Sequence, residues 1–455
     1  MVDNLQLPQD WTIQTLGSLG KVVTGKTPST KIADYFGGYI PFVTPSDMDD
    51  RRVISHTNRY LTVQGAASVS SSRIPAGTVM VSCIGSDMGK TAIAGSDAVT
   101  NQQINSIIVR EDISNVYVYY NLSTRQPEIQ HLGSGGSAVP ILNKGHFCKL
   151  HIALPPLKEQ QAIACILGAL DDKIELNRRM NKTLEETAQT IFKSWFVDFD
   201  PVRAKAAIRR EHPDWSNEQV SRAAFPNLKP EIAALFPDTF DDSEMGEIPR
   251  GWGVHPIGDM VKVLGGGTPS TKEPAYWEGG IYPFCTPKDM ASLSAPVLLQ
   301  TERHLTDEGL AKVSSGKLPI GTLLLSSRAP IGYLAVAETQ VSINQGIIAM
   351  VCDSELPNLY VLHWTRANMD RVIANANGST FLEISKQNFR PIRALIPDKH
   401  ILEQFIQIAG PIHKRVVSSL RQIQQLAAIR DALLPKLISG ELTVAEAEQI
   451  AARCV

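Results

Sequence analysis

Two stretches of the chain carry apolar residues in a 4-3-4-3 spacing, which a helix turns into one continuous stripe. In the first, Ile163, Leu167, Leu170, Ile174, Asn177, Asn181, Leu184, Ala188, Ile191 and Trp195 fill it. In the second, Phe405, Ala409, Ile412, Val416, Ser419, Ile423, Leu426, Arg430, Leu433 and Leu437 do the same. Pro155-Pro156 prevents the first helix from starting sooner. Each pattern runs for about forty residues, about 60 Å of helix. A small domain cannot cover that length, so the two helices are expected to pack on each other; burial of each stripe against its own domain is the competing expectation. Asn177 and Asn181 lower the stability of such a seam while fixing its register and orientation.

Ahead of each helix the pattern changes to segments rich in Gly, Pro, Ser and Thr with short apolar runs. Val79-Met80-Val81, Ile107-Ile108-Val109 and Leu150-His151-Ile152-Ala153-Leu154, bounded by turn residues, predict strands of a mixed globular domain. The same text then occurs twice. Trp11 and Gly25-Lys26-Thr27-Pro28-Ser29-Thr30-Lys31 return roughly 240 positions later as Trp252 and Gly266-Gly267-Thr268-Pro269-Ser270-Thr271-Lys272, a period far too long for a solenoid. Pro41-Phe42-Val43-Thr44-Pro45 with Asp47-Met48 matches Pro283-Phe284-Cys285-Thr286-Pro287 with Asp289-Met290. Ile74-Pro75-Ala76-Gly77-Thr78 matches Leu318-Pro319-Ile320-Gly321-Thr322, and Asn101-Gln102 matches Asn344-Gln345. The expected division is a globular domain at 1–156, a long helix at 157–197, a linker at 198–247 with helical content around Arg203 to Arg210, a second globular domain at 248–398, a second long helix at 399–443 and a tail at 444–455.

Composition narrows the class. With 43% hydrophobic and 20% charged residues in 455, this is an ordinary folded protein rather than a disordered scaffold. No basic amino-terminal region precedes an apolar run and no stretch of about twenty apolar residues occurs, so a cytoplasmic protein without membrane insertion is expected. Cysteines 83, 148, 165, 285, 352 and 454 form no CxxC pair, which argues against a zinc site or a disulfide framework.

The ordered elements carry a family likeness: Trp with Gly-x-Thr-Pro-Ser, Pro-Phe-x-Thr-Pro, Asn-Gln, a Pro-flanked start of a long helix with Glu159-Gln160 or Glu403-Gln404, and the endings Ser194-Trp195-Phe196-Val197-Asp198-Phe199 and Leu433-Leu434-Pro435-Lys436-Leu437. Over almost the whole chain this resembles the specificity subunit of type I restriction-modification enzymes. The resemblance implies an α+β fold: two similar mixed α/β target recognition domains joined by two long helices in an antiparallel coiled coil, a pseudo-two-fold internal repeat. It implies further that the chain reads double-stranded DNA at two unlike half-sites, with the helices setting the unread spacer, and docks two methyltransferase subunits and, through them, restriction subunits. S-adenosylmethionine, Mg²⁺ and ATP then belong to those partners, and this chain carries no cofactor and no metal. Two quasi-equivalent outward helix faces, one including Arg178-Arg179 and Glu185-Glu186, are expected to engage them. The coiled-coil and partner-binding residues are Ile163, Leu167, Leu170, Ile174, Leu184, Ile191, Trp195, Phe405, Ile412, Val416, Ile423, Leu426 and Leu433.

A net charge of −2 is low for a protein that grips DNA alone, so the charge is segregated or a partner supplies much of the phosphate contact. Candidates for DNA contact come from the duplicated polar loops: Lys26, Thr27, Ser29, Thr30 and Lys31, with Thr268, Ser270, Thr271 and Lys272. Where the halves diverge, the run Ser86 to Lys90 corresponds to Ala329 to Tyr333, and Arg328 to Ile84 or Gly85, so Ser86, Lys90, Arg328 and Tyr333 are candidates, and two small-residue loops offer Ser137 and Asn377 with Ser379. Each loop could equally be a structural turn. No catalytic motif of an adenine methyltransferase is present. Gly85-Ser86-Asp87-Met88-Gly89-Lys90-Thr91 lacks one residue of phosphate-loop spacing. An ATP-binding enzyme using residues 85–91, and a duplicated module for some other polymer such as a glycan, are the alternative classes.

Overall fold

The computed structural model describes residues 7–49, 51–133, 141–226, 228–328, 330–378 and 382–454. It divides into two compact units, one made from residues up to Leu176 together with those from Gln422 onward, the other from Asn177 to Arg421.

The first unit is built on a five-stranded sheet in the order Gly20–Thr24, Ile104–Val109, Val79–Ser82, Thr91–Ala94, Val53–Ile54. Val79–Ser82 and Thr91–Ala94 are buried along their whole length, as strands covered on both faces must be. A four-stranded sheet follows the order Tyr60–Leu61, Phe36–Val43, Ala98–Thr100, Arg73–Ile74. Thr12–Thr15 pairs antiparallel with His151–Leu154, returning the chain beside its first strand just before Pro155-Pro156. The helix Asn115–Ser123 starts where the Ser114 hydroxyl caps Tyr117 N–H, and it buries Tyr117 and Tyr120.

The long helix Leu157–Phe196 begins in this unit. Its Ile163, Leu167, Leu170 and Ile174 share one core with Trp11, Tyr117 and Tyr120 of the domain and with Leu426, Leu433 and Leu437 of the second long helix, Lys399–Ser439. The stripe therefore does both things the pattern allowed: it packs on its own domain and on the other helix. Asp171 and Arg430 join the two helices at 2.8 Å.

The second unit repeats the plan. Its five-stranded sheet runs Lys262–Gly265, Ile347–Val351, Leu323–Ser326, Leu334–Ala337, Val297–Leu298, strand for strand the order of the first. Tyr282–Cys285 lies between Arg303–Leu305 and Ser342–Ile343, and Gly253–Pro256 pairs with Arg393–Ile396. Phe192, Trp195 and Phe196 of the first long helix meet Phe405 of the second, while Leu184 shares a cluster with Val416 and Val417. Partner numbers fall as helix numbers rise, so the helices run antiparallel. In this seam Asn181 and Ser419 are buried with side-chain atoms that have no hydrogen-bond partner.

The stretch 198–247 folds into the second unit. Phe199, with a left-handed backbone (φ 57°), opens the next helix after the long one and lays its ring against Trp252 and Phe240. Helices Asp200–Glu211, Asn217–Ala224 and Pro230–Leu235 follow, then a hairpin of Phe240–Ser243 and Gly246–Pro249. The fully buried Lys205 ties them, its Nζ donating to Asn217 Oδ1 (2.7 Å) and to the carbonyls of Ala233 (3.1 Å) and Phe236 (2.5 Å). Burial pushes this ammonium down to about 8. These contacts give the helical content expected near Arg203 to Arg210 a packed setting.

Candidate nucleic-acid interface

The two Gly-x-Thr-Pro-Ser loops are built alike. A Cβ on Gly25 would collide with the Asn101 carbonyl, and one on Gly266 with the Ile343 carbonyl, so only glycine lets the backbones approach this closely. Gly25 N–H donates to Ile104 O (3.0 Å) and Lys26 N–H to Thr100 O (2.9 Å), while Gly267 N–H donates to Ile343 O (3.1 Å). The Thr27 hydroxyl then donates to Gln102 Oε1 at 2.6 Å, and Thr268 makes the same bond to Gln345 Oε1. The Asn-Gln element and the polar loop, which the sequence offers as separate repeat markers, thus form one clasp in each unit. Gln102 and Gln345 were not among the expected site residues, although their recurrence in register was the signal that could have found them. Pro28 and Pro269 are buried beneath the loops, leaving Lys26, Ser29, Thr30 and Lys31, and Thr268, Ser270, Thr271 and Lys272, exposed, with Thr27 half-buried.

The divergent loops differ in chemistry on equivalent backbone. In the first unit Ile84 bridges Ile141, and the short turn Gly85–Asp87 exposes Ser86 while Asp87 pairs with the Lys90 ammonium at 2.7 Å. In the second unit Arg328 takes the bridging place opposite Glu383, and its Nη1 lies 3.6 Å from Glu383 Oε2. Asn377 pairs with the same Glu383 through both backbone bonds, at 2.9 and 2.8 Å, so Arg328 and Asn377 converge. Tyr333 is half-buried and its N–H donates to Ser326 Oγ at 2.8 Å. Ser137 and Ser379 lie outside the described residues.

The nucleotide-binding alternative loses its geometry here. A phosphate loop delivers Gly-Lys-Thr into the first turn of a helix, whose N–H groups cradle phosphate. In this chain Thr91 instead opens the buried strand Thr91–Ala94, and Lys90 is held by Asp87. Among the described residues no group of three or more His, Cys, Asp or Glu could hold a metal ion, and no helix is long and apolar enough to cross a membrane.

Along the helices, Ile163, Leu167, Leu170, Ile174, Trp195, Phe405, Val416, Leu426 and Leu433 are buried, and Leu184, Ile191, Ile412 and Ile423 half-buried. Glu185 faces the second globular domain, 3.4 Å from Arg366, and its carboxyl pKa is raised by burial, whereas Glu186 is exposed beside Lys182.

Comparison with known proteins agrees with this duplicated plan. The family described as the type I restriction modification DNA specificity domain matches residues 8–186 and 249–415. The chain is 29% identical to the type I restriction enzyme MjaIX specificity subunit of Methanocaldococcus jannaschii, over 97% of this chain and 95% of that protein. It is 30% identical to the HindI specificity subunit of Haemophilus influenzae, over 64% of this chain and 69% of that one. A crystal structure of the type I restriction-modification S subunit from M. genitalium shares the fold at a TM-score of 0.56 and 14% identity, covering 96% of both chains. The chain therefore belongs to the DNA specificity family of type I restriction-modification systems, whose members are their non-catalytic specificity subunits.

Proposed function

We propose that this chain reads a bipartite, asymmetric site in double-stranded DNA, each globular domain taking one half-site, and scaffolds two methyltransferase subunits and through them restriction subunits. The observation that carries this reading is that one scaffold occurs twice with different chemistry at matched positions. Strand order and the Thr-Gln clasp are kept, while the Ile84–Ile141 bridge of one unit gives way to Arg328 and Glu383 in the other, and Lys90 to Tyr333. Shared framework with unlike loops suits two readers of two unlike sequences. The working division is recognition domains at 1–156 and 248–398, long helices at 157–197 and 399–443, a spacer at 198–247 and a tail at 444–455.

In this reading the long helices set the number of unread base pairs, and their exposed residues, Arg179 and Glu186 among them, meet the methyltransferase subunits. S-adenosylmethionine, Mg²⁺ and ATP are bound by partners, which also add phosphate contacts to those that a chain of net charge −2 makes itself. Mapping N6-methyladenine across the host genome with and without this gene tests the proposal. Deletion is expected to erase one motif made of two unlike half-sites. An unchanged map, repeated with the methyltransferase subunit co-expressed, would refute it.

A further inference from the structure

In both units two aromatic rings and an arginine gather at the sheet that carries Pro-Phe-x-Thr-Pro. In the first, the Phe36 and Phe42 rings meet edge to face at 6.5 Å, and the Arg59 guanidinium lies 4.4 Å from the Phe36 centroid and 5.6 Å from that of Phe42. In the second, Trp277 and Phe284 meet edge to face at 5.3 Å, and the Arg303 guanidinium lies 3.4 Å from the Trp277 centroid. The arginines are equivalent by strand position: Phe42 N–H donates to Arg59 O at 3.1 Å, and Phe284 is the cross-strand partner of Arg303.

Neither guanidinium has an ion pair or a side-chain hydrogen bond with any described residue. Glu302, the acid beside Arg303, is engaged by Lys288 at 2.7 Å. Arg59 is exposed and Arg303 half-buried. The stack in the second unit also touches the duplicated polar loop, because the Trp277 indole donates to Ser270 O at 2.9 Å.

A guanidinium held over a ring leaves its N–H donors available, in a fork that matches the paired oxygens of a phosphate. Stacking fixes a long side chain before any ligand arrives, so less freedom is lost on binding. The placement is retained in both domains while Lys90 and Arg328 diverge around different partners. Two domains that read unlike half-sites share only what the half-sites share, the sugar-phosphate backbone. We infer that Arg59 and Arg303 are a matched pair of phosphate clamps, one per recognition domain, which position the DNA without reading its bases; this rests on the proposed reading of the two domains as DNA readers.

The test uses the full chain assembled with its methyltransferase subunit and a duplex carrying the methylated motif, with affinity measured over a range of salt. Arg59→Met and Arg303→Met keep an apolar cover on the ring and remove the charge. Each is expected to flatten the slope of log affinity against log salt by about 0.9, and the double variant by about 1.8, with the methylated motif unchanged. Arg59→Lys and Arg303→Lys are expected to keep the wild-type slope. A double methionine variant with the wild-type slope overturns the clamp, as does an altered motif, which would mean base contact. Lysine variants that lose as much as the methionine ones overturn it too, because the role would be packing. A wild-type assembly that binds no duplex sinks the underlying reading instead, and this inference with it.

Discussion

The Trp11 indole donates to Glu159 Oε2 at 3.2 Å, tying the opening of the first domain to the first turn of the first long helix. Its counterpart Trp252 is buried as deeply, yet its Nε1 has no acceptor. In seam register the place of Glu159 is taken by Ile401, a core residue of the second unit. Trp11→Phe should therefore cost about 1 kcal/mol more than Trp252→Phe, since both shrink a buried ring but only the first gives up a hydrogen bond. Equilibrium urea unfolding of both variants decides; equal losses would contradict the asymmetry.

Asp171 accepts from the Tyr120 hydroxyl at 2.6 Å and from Arg430 at 2.8 Å, while Arg52 donates to the same hydroxyl at 3.2 Å and pairs with Asp172. With Asp171 and Arg430 side chains 11% and 25% exposed, removing the carboxylate leaves a charge and a hydroxyl poorly solvated. Asp171→Ala should destabilise the first unit by about 2–4 kcal/mol. Lys182→Ala, which breaks a pair 78% and 63% exposed, should cost under about 1 kcal/mol. Thermal unfolding that ranks the two the other way would count against the network.

Burial, with Arg366 and His413 near it, lowers His363 from its ordinary 6.5 to about 4. As pH falls through 6.5 the unfolded chain takes up a proton that the folded chain refuses until about 4, so stability drains across that window and this effect is absent above it. The size is on the order of 3 kcal/mol at most. His363 stacks on Phe192 at 5.5 Å and its Nδ1 is unpartnered, so His363→Phe keeps the packing and removes the titration. The variant should match or exceed wild type at neutral pH and lose less between pH 6.5 and 4. Guanidinium unfolding at stepped pH reads both, and parallel profiles would sink the assignment.

If each domain reads its own half-site, Arg328→Ala should relax one or two positions in one half of the methylated motif, at about 1–3 kcal/mol of discrimination, and leave the other half intact. Single-molecule sequencing of methylated DNA from cells carrying the variant shows this directly. Degeneracy in both halves would separate Arg328 from base recognition.

Much of this fold is legible in the sequence because the features that repeat are those backbone geometry demands. Gly25 and Gly266 recur because a Cβ would strike a carbonyl, and the seam residues recur because one helical face must stay dry. The packing of 198–247 was less visible: Lys205 reads as a surface charge, and only the chain-reversing placement of Ala233 and Phe236 turns it inward. The aromatic and arginine stack was hidden for another reason. Its members are drawn from separate segments, and Arg59 and Arg303 fall out of the register that aligns Phe42 with Phe284, because loop length differs between the copies. No single stretch of sequence displays a site of that kind.

The first unit joins residues up to Leu176 with those from Gln422 onward, and its core needs Leu426, Leu433, Leu437 and Ala447 beside Ile163 and Leu167. A ribosome makes these two parts far apart in time. At about 5–20 residues per second, the intervening stretch of about 240 residues takes roughly 10–50 s, during which the apolar flank of the first domain has no helical partner. The domain begun first is thus the one finished last. A nascent chain interrupted after the second domain would display that flank to chaperones and proteases while still carrying an otherwise complete second core.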